Sequence, residues 1–254
     1  HLWMASADDG VAALAYAPSS VTAKVGDKGR EVTITETTDY PFRQTLEFRV
    51  DTAREVRFPF HLRIPSWCSN PWISINDQPQ TAPQPGTVAV LKRTWRSGDI
   101  VRVKFPMVLT VRRWHENSVS LYRGPLLYAL EIEEEWSVNE DGDREVRPKS
   151  RWNYALNENH IKDLERYFKV KTGSRTNKPW SLEGAPIRLE GIGIQHPLWQ
   201  LYNESAGPIP WSPQPSGRFQ LGDLEYITLV PYGCSTLRVS AFPTIFLPPG
   251  KKPQ

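Results

Sequence analysis

With 254 residues, the chain is long enough for one large or two small domains, each with its own core. Its 31 basic and 28 acidic side chains leave a net charge of +3, an ordinary balance without the basic footprint of a nucleic-acid-binding protein. A hydrophobic fraction of 39% excludes wholesale disorder, and no apolar run approaches the ~18–20 residues that span a bilayer.

Twenty-three prolines, nearly twice the ~5% that is usual, argue against a helical bundle, as do ten tryptophans and only two methionines. The dominant signal is instead short runs of β-branched and aromatic residues bounded by Gly, Pro, Asn or Asp. Residues 11–16 follow an Asp8-Asp9-Gly10 turn and stop at Pro18. Residues 32–37, 46–50 and 58–64 alternate with period two, as half-buried strands do. Residues 72–75 lead into an Asn76-Asp77 turn. Residues 88–91 and 100–105 follow, with Ser97-Gly98-Asp99 as a hairpin-type connector. This spacing predicts an all-β fold of antiparallel β-sandwiches.

Near Arg123-Gly124-Pro125 the texture changes, and a domain boundary is expected there. Residues 126–132 form an apolar run, followed by Glu133-Glu134-Glu135 and a polar loop over 139–143. Strand-like pieces recur at 167–171, 187–194, 226–230 and 237–241, and residues 157–166 are the one candidate helix. Residues 203–215 carry four prolines and read as an extended loop; the tail 247–254 is expected to be disordered.

Few residues offer self-contained chemistry. Glu131, Glu133 and Glu135 would share one strand face, but clustered carboxylates read first as a solvated edge and only second as a glycosidase pair. His1, His61, His115, His160 and His196 lack metal-ligand spacing, so no metal site is expected. Gly191-Ile192-Gly193 is only a G-x-G and reads as a bulge in a strand. Cys68 and Cys234 read as two buried thiols, with a long-range disulfide as the second reading. Among the tryptophans, most read as core or seam packing. Trp199 and Trp211, in Pro-rich loops with Asn203, Glu204 and Ser205 between them, are the best candidates for a carbohydrate platform.

Several phrases in one order carry a more specific signal. Asp8-Asp9-Gly10-Val11-Ala12-Ala13-Leu14-Ala15-Tyr16, Thr38-Asp39-Tyr40-Pro41-Phe42 and Leu62-Arg63-Ile64-Pro65-Ser66-Trp67-Cys68 lie in the first half. Arg123-Gly124-Pro125-Leu126-Leu127-Tyr128, Trp152-Asn153-Tyr154-Ala155-Leu156, Ala206-Gly207-Pro208-Ile209-Pro210-Trp211 and Leu229-Val230-Pro231-Tyr232-Gly233-Cys234 follow. Together they resemble the post-catalytic region of the β-L-arabinofuranosidase family (glycoside hydrolase family 127 and relatives).

That resemblance implies two β-sandwiches, the first over 1–122 and completed by returning strands at 226–246, the second inserted over 123–225. It implies a parent enzyme whose N-terminal (α/α)6 barrel holds a zinc-bound cysteine nucleophile. Cys68 and Cys234 do not match those positions, so no catalytic residue is assigned in this chain and zinc is expected only in the barrel. The opening His1-Leu2-Trp3-Met4 has no signal-peptide pattern, and the chain is expected to be a piece of a longer protein whose compartment is not readable here. The implied partners are the barrel, a second copy in a homodimer and, through the parent enzyme, plant-derived glycans; no nucleic acid or membrane is expected. The rival expectation is a carbohydrate-binding module for arabinose-containing glycans.

Overall fold

Strict alternation is realised most cleanly where two strands face each other across a ladder. The computed structural model describes residues 2–215 and 222–247, which divide into two units, His1–Val108 and Leu109–Gln254. The first unit contains β1 (Trp3–Ala5), β2 (Val11–Ala13), β3 (Ser19–Val25), β4 (Arg30–Thr38) and β5 (Thr45–Thr52). It continues with β6 (Val56–Arg63), β7 (Trp72–Ile75), β8 (Gln78–Pro79), β9 (Val88–Trp95) and β10 (Asp99–Lys104).

These strands form a four-stranded sheet, β1-β2-β6-β9, and a six-stranded sheet, β3-β4-β5-β10-β7-β8. On β5, Leu46, Phe48 and Val50 are fully buried, and on β10 Val101 and Val103 oppose Phe48 and Leu46. Phe48 meets Phe60 of the other sheet edge-to-face at 5.4 Å, so one aromatic-rich core joins the two layers. Trp95 closes it, fully buried, with its indole N–H donating to the Phe58 carbonyl at 3.1 Å. The expected turns form: Asn76 and Asp77 both take positive φ between β7 and β8, and Gly98 does so between β9 and β10.

One pairing of the first unit differs from the antiparallel expectation. β2 runs parallel to β6, with Val11 opposite Phe60. Gly10 makes this approach feasible, because a Cβ there would overlap the Pro59 carbonyl oxygen and lie 2.7 Å from both Pro59 Cγ and Ser6 Oγ. Gly10→Ala is therefore expected to destabilise the first unit by about 1–3 kcal/mol. The shift should appear in the urea-unfolding midpoint; an unchanged midpoint would mean that the β2–β6 seam yields freely.

The second unit contains β11 (Leu109–Arg113), β12 (Val119–Arg123), β13 (Leu126–Leu130), β14 (Glu134–Val138), β15 (Arg144–Pro148) and β16 (Tyr154–Asn157). Then come α1 (Glu158–Ile161), α2 (Leu164–Tyr167), β17 (Lys169–Thr172) and β18 (Ile187–Gln195). Last are β19 (Leu201–Tyr202), β20 (Ser205–Ala206), β21 (Gln214–Pro215), β22 (Leu224–Pro231) and β23 (Thr244–Phe246). Among the described residues a nine-stranded sheet runs β11-β12-β13-β22-β18-β16-β23-β21, with β17 also on β18. β14–β15 and β19–β20 are separate hairpins. β16–β23 and β21–β23 pair in parallel, and the other ladders of this unit are antiparallel.

Several expectations change here. Arg123-Gly124-Pro125 is not a boundary but the tight turn between β12 and β13, with Arg123 opposite Leu126 and Gly124 at φ 58°. The division falls at Val108/Leu109 instead. Residues 226–246 belong to the second unit. β22 lies between β13 and β18, β23 beside β16, and Phe242 bridges Val119.

The single helix over 157–166 is two one-turn helices, broken where Asp163 takes an extended φ of −137°. The strand expected at 237–241 is irregular, because the Glu134 carboxylate captures the Thr236 and Leu237 amides at 2.7 and 3.0 Å in place of a ladder. The glycines of Gly191-Ile192-Gly193 sit within the regular strand β18. A Cβ at Gly191 would overlap the Phe168 ring, and one at Gly193 would lie 2.9 Å from the Tyr154 ring. Leu247, at the start of the expected disordered tail, is buried, and the rest of that tail lies outside the described residues.

Candidate functional site

The second unit contains a cleft of about 690 Å³, within the ~300–1,000 Å³ usual for small-molecule sites. Its walls come from both hairpins and from the irregular segment after Cys234. Trp152, Leu201 and Leu237 supply apolar surface, while Arg147, Glu204 and Arg238 supply charge.

The indole and the charged side chains among these have identifiable supports. Trp152 packs edge-to-face on Trp199, centroids 5.1 Å apart. Trp199 is itself fixed by its indole N–H, which donates to the Gly207 carbonyl at 2.9 Å, and by the Asn153 amide, which donates to the Trp199 carbonyl at 3.0 Å. Arg147 reaches from β15 to Glu204 on the other hairpin at 3.1 Å and to Glu145 on its own strand at 3.5 Å. The Glu134 clamp holds the backbone ahead of Arg238, whose Nε donates to the Ser235 carbonyl at 2.8 Å. The Arg238 guanidinium also lies over the Tyr232 ring at 4.7 Å.

The residues singled out from sequence are dispersed around this cleft. Trp199 does not face solvent: it is 4% exposed and backs Trp152 from inside. Trp211 is 56% exposed but does not line the cleft. Asn203 and Glu204 are the two central residues of the β19–β20 turn, both at positive φ, and only Glu204 contributes to the wall. Trp152, Arg147 and Arg238 did not stand out in the sequence, since each lies far along the chain from the 203–205 turn that they face across the cleft and nothing local ties them together. The readable clue is the Tyr202-Asn203-Glu204-Ser205 hairpin, a structured turn inside what looked like an extended loop.

The other candidate groups are occupied structurally. Glu131 pairs with Arg188 at 3.3 Å, and the chain leaves strand conformation over 131–133, so the three alternating glutamates share no continuous strand. A second hollow of about 440 Å³ is lined by Glu131, Glu133, Arg151, Tyr154 and Glu225. There the Tyr154 hydroxyl donates to Glu225 at 2.6 Å, and Arg151 also pairs with Glu225. Burial, with Glu225 beside it, pushes the Tyr154 phenol well above its ordinary range.

Cys68 and Cys234 are free and buried. Burial raises both thiols, Cys234 to about 11, so each is a protonated packing group rather than a thiolate. Burial likewise lowers His160, which stacks on Tyr167 at 3.9 Å, and His196, which meets Gln214 at 3.2 Å. His61 bonds Asp8 at 3.0 Å, His115 lies at the surface near Glu116, and His1 is outside the described residues. Among the described residues no three His, Cys, Asp or Glu side chains gather as metal ligands, so the zinc chemistry of the expected barrel does not fit these residues.

Comparison with known proteins bears on the whole chain. Residues 10–107 match the family model described as the β-L-arabinofuranosidase, GH127 middle domain. Among solved structures, Ara127N-Se, a GH127 β-L-arabinofuranosidase from Geobacillus stearothermophilus T6, is 23% identical with a TM-score of 0.61, over 95% of this chain and 34% of that one. A structure described as a glycoside hydrolase is 21% identical (TM-score 0.62; 94% and 36% covered), and a GH127 β-arabinofuranosidase is 18% identical (0.61; 93% and 35%). The chain thus spans about a third of the length of these structures, and at such identities the likeness shows the fold. No curated protein matches it in sequence. Residues 10–107 match the middle domain of the GH127 β-L-arabinofuranosidases and the wider chain shares their β-rich fold, so this protein carries a GH127-like domain.

Proposed function

We propose that this chain is the non-catalytic β-sandwich portion of a glycoside hydrolase of the β-L-arabinofuranosidase type. Its work is to support an N-terminal catalytic barrel and to contribute to a homodimer contact. The observation that carries the reading is the coverage: nearly all of this chain, but only about a third of each solved relative, is shared. The residue chemistry agrees with it. Both thiols are buried and held protonated, the opposite of what a cysteine nucleophile needs. The carboxylates best placed for acid–base work, Glu131 and Glu225, are each tied to an arginine.

Incubation of the purified chain with an aryl arabinofuranoside is expected to release aglycone no faster than buffer does. Turnover that persists through repurification would overturn the non-catalytic assignment. The coding sequence upstream of His1 is expected to continue through several hundred helix-patterned codons containing Glu and Cys. A start codon or leader immediately upstream would remove the barrel from the proposal.

A further inference from the structure

We propose that the cleft between the two hairpins of the second unit binds an acidic saccharide, with a uronate carboxylate on Arg238 and a sugar ring against Trp152. This goes beyond the support role and stands whether or not a catalytic barrel is attached.

The argument rests on how the two side chains are held. Trp152 brings an indole surface to the cleft, and the apolar C–H face of a sugar ring packs against such a surface. It is fixed from behind by Trp199, itself held at two polar points, so little side-chain entropy is lost when a ring docks. Arg238 is anchored by neutral groups only, the Ser235 carbonyl and the Tyr232 ring. Among the described residues no carboxylate pairs with it, and its terminal amines remain to form a charge-assisted pair with an anion. Arg147 differs, being shared by Glu145 and Glu204. Those two carboxylates repel an anion from their end of the cleft, so the ligand carboxylate belongs at Arg238 and the neutral hydroxyls toward Glu204 and Ser205. A volume of about 690 Å³ holds two or three sugar units.

Calorimetric titration of the whole chain with α-1,4-linked trigalacturonate and with its neutral counterpart galactotriose tests this. The acidic trimer is expected to bind about tenfold more tightly at low salt, the advantage shrinking as salt is raised. Arg238→Gln, an exposed change that leaves the fold intact, is expected to bring the two affinities together while preserving binding of the neutral trimer. Trp152→Ala is expected to abolish binding of both. Equal affinity for the two trimers, an acid preference unchanged in Arg238→Gln, no binding of either sugar, or equally tight binding of triglutamate would each overturn the proposal. None of these results bears on the hydrolysis assay, so the two proposals fail separately.

Discussion

Trp95→Ala is expected to cost the first sandwich about 3–5 kcal/mol, a large share of the ~5–15 kcal/mol that holds a typical domain folded. Trp95 is fully buried at the end of β9, with the Phe58 and Phe60 rings 5.8 and 6.2 Å away. Its removal leaves a cavity between the two sheets and takes the indole donor from the Phe58 carbonyl. Trp95→Phe should cost roughly half as much, since most of the volume stays and the hydrogen bond goes. Amide hydrogen exchange on β5 and β10 is the direct readout. Protection that survives in Trp95→Ala would show that the core closes around the loss.

Glu36→Gln should change the pH dependence of the same unit. Glu36 lies on β4, 2% exposed, and neither carboxyl oxygen makes a hydrogen bond of ordinary geometry. Burial lifts its carboxyl from 4.5 to about 8, the Ala17 backbone and the Ser19 hydroxyl offsetting only part of that. The folded state therefore keeps a proton that the unfolded chain releases above about pH 4.5. The resulting stability is full below that pH, declines as pH rises, and is gone above about pH 8. At ~1.4 kcal/mol per pH unit, the interval caps the effect at about 5 kcal/mol. Wild-type and Glu36→Gln should unfold alike near pH 4, whereas the variant should be the more stable by a few kcal/mol at pH 9. Parallel stability curves across that range would show that Glu36 ionises in the folded protein without penalty.

The strands that were legible in sequence are those where burial alternates along one element. Leu46, Phe48 and Val50 advertise their buried face whatever the partner, and so do Val101 and Val103. What stayed hidden depends on partners distant in sequence. Val11-Ala12-Ala13 carries no local mark of running parallel to Phe60-His61-Leu62. The texture change at Arg123-Gly124-Pro125 was real, but it marks a hairpin turn, and a turn and a boundary use the same residue types.

For the cleft, the hairpin turn at Asn203 and Glu204 was within reach of sequence reasoning and the wall opposite was not. Trp152 and Arg238 come together only through the clamp on Glu134 and the packing of Trp199. Exposure of a Trp in a Pro-rich loop proved a poor guide. Pro197 and Pro208 bracket Trp199, yet its ring turns inward to serve another ring.

The strand order of the four-stranded sheet also governs when that sheet can exist during synthesis. β3, β4 and β5 are sequential neighbours and can pair as soon as they emerge. The β1–β2 hairpin, made first, must wait for β6 some 45 residues later, and β6 in turn gains its outer neighbour only when Trp95 has been added. For that interval Trp3 can already pack on Phe48 of β5, but β2 has no partner along its second edge, so this stretch of the nascent chain carries an open strand edge until β6 emerges.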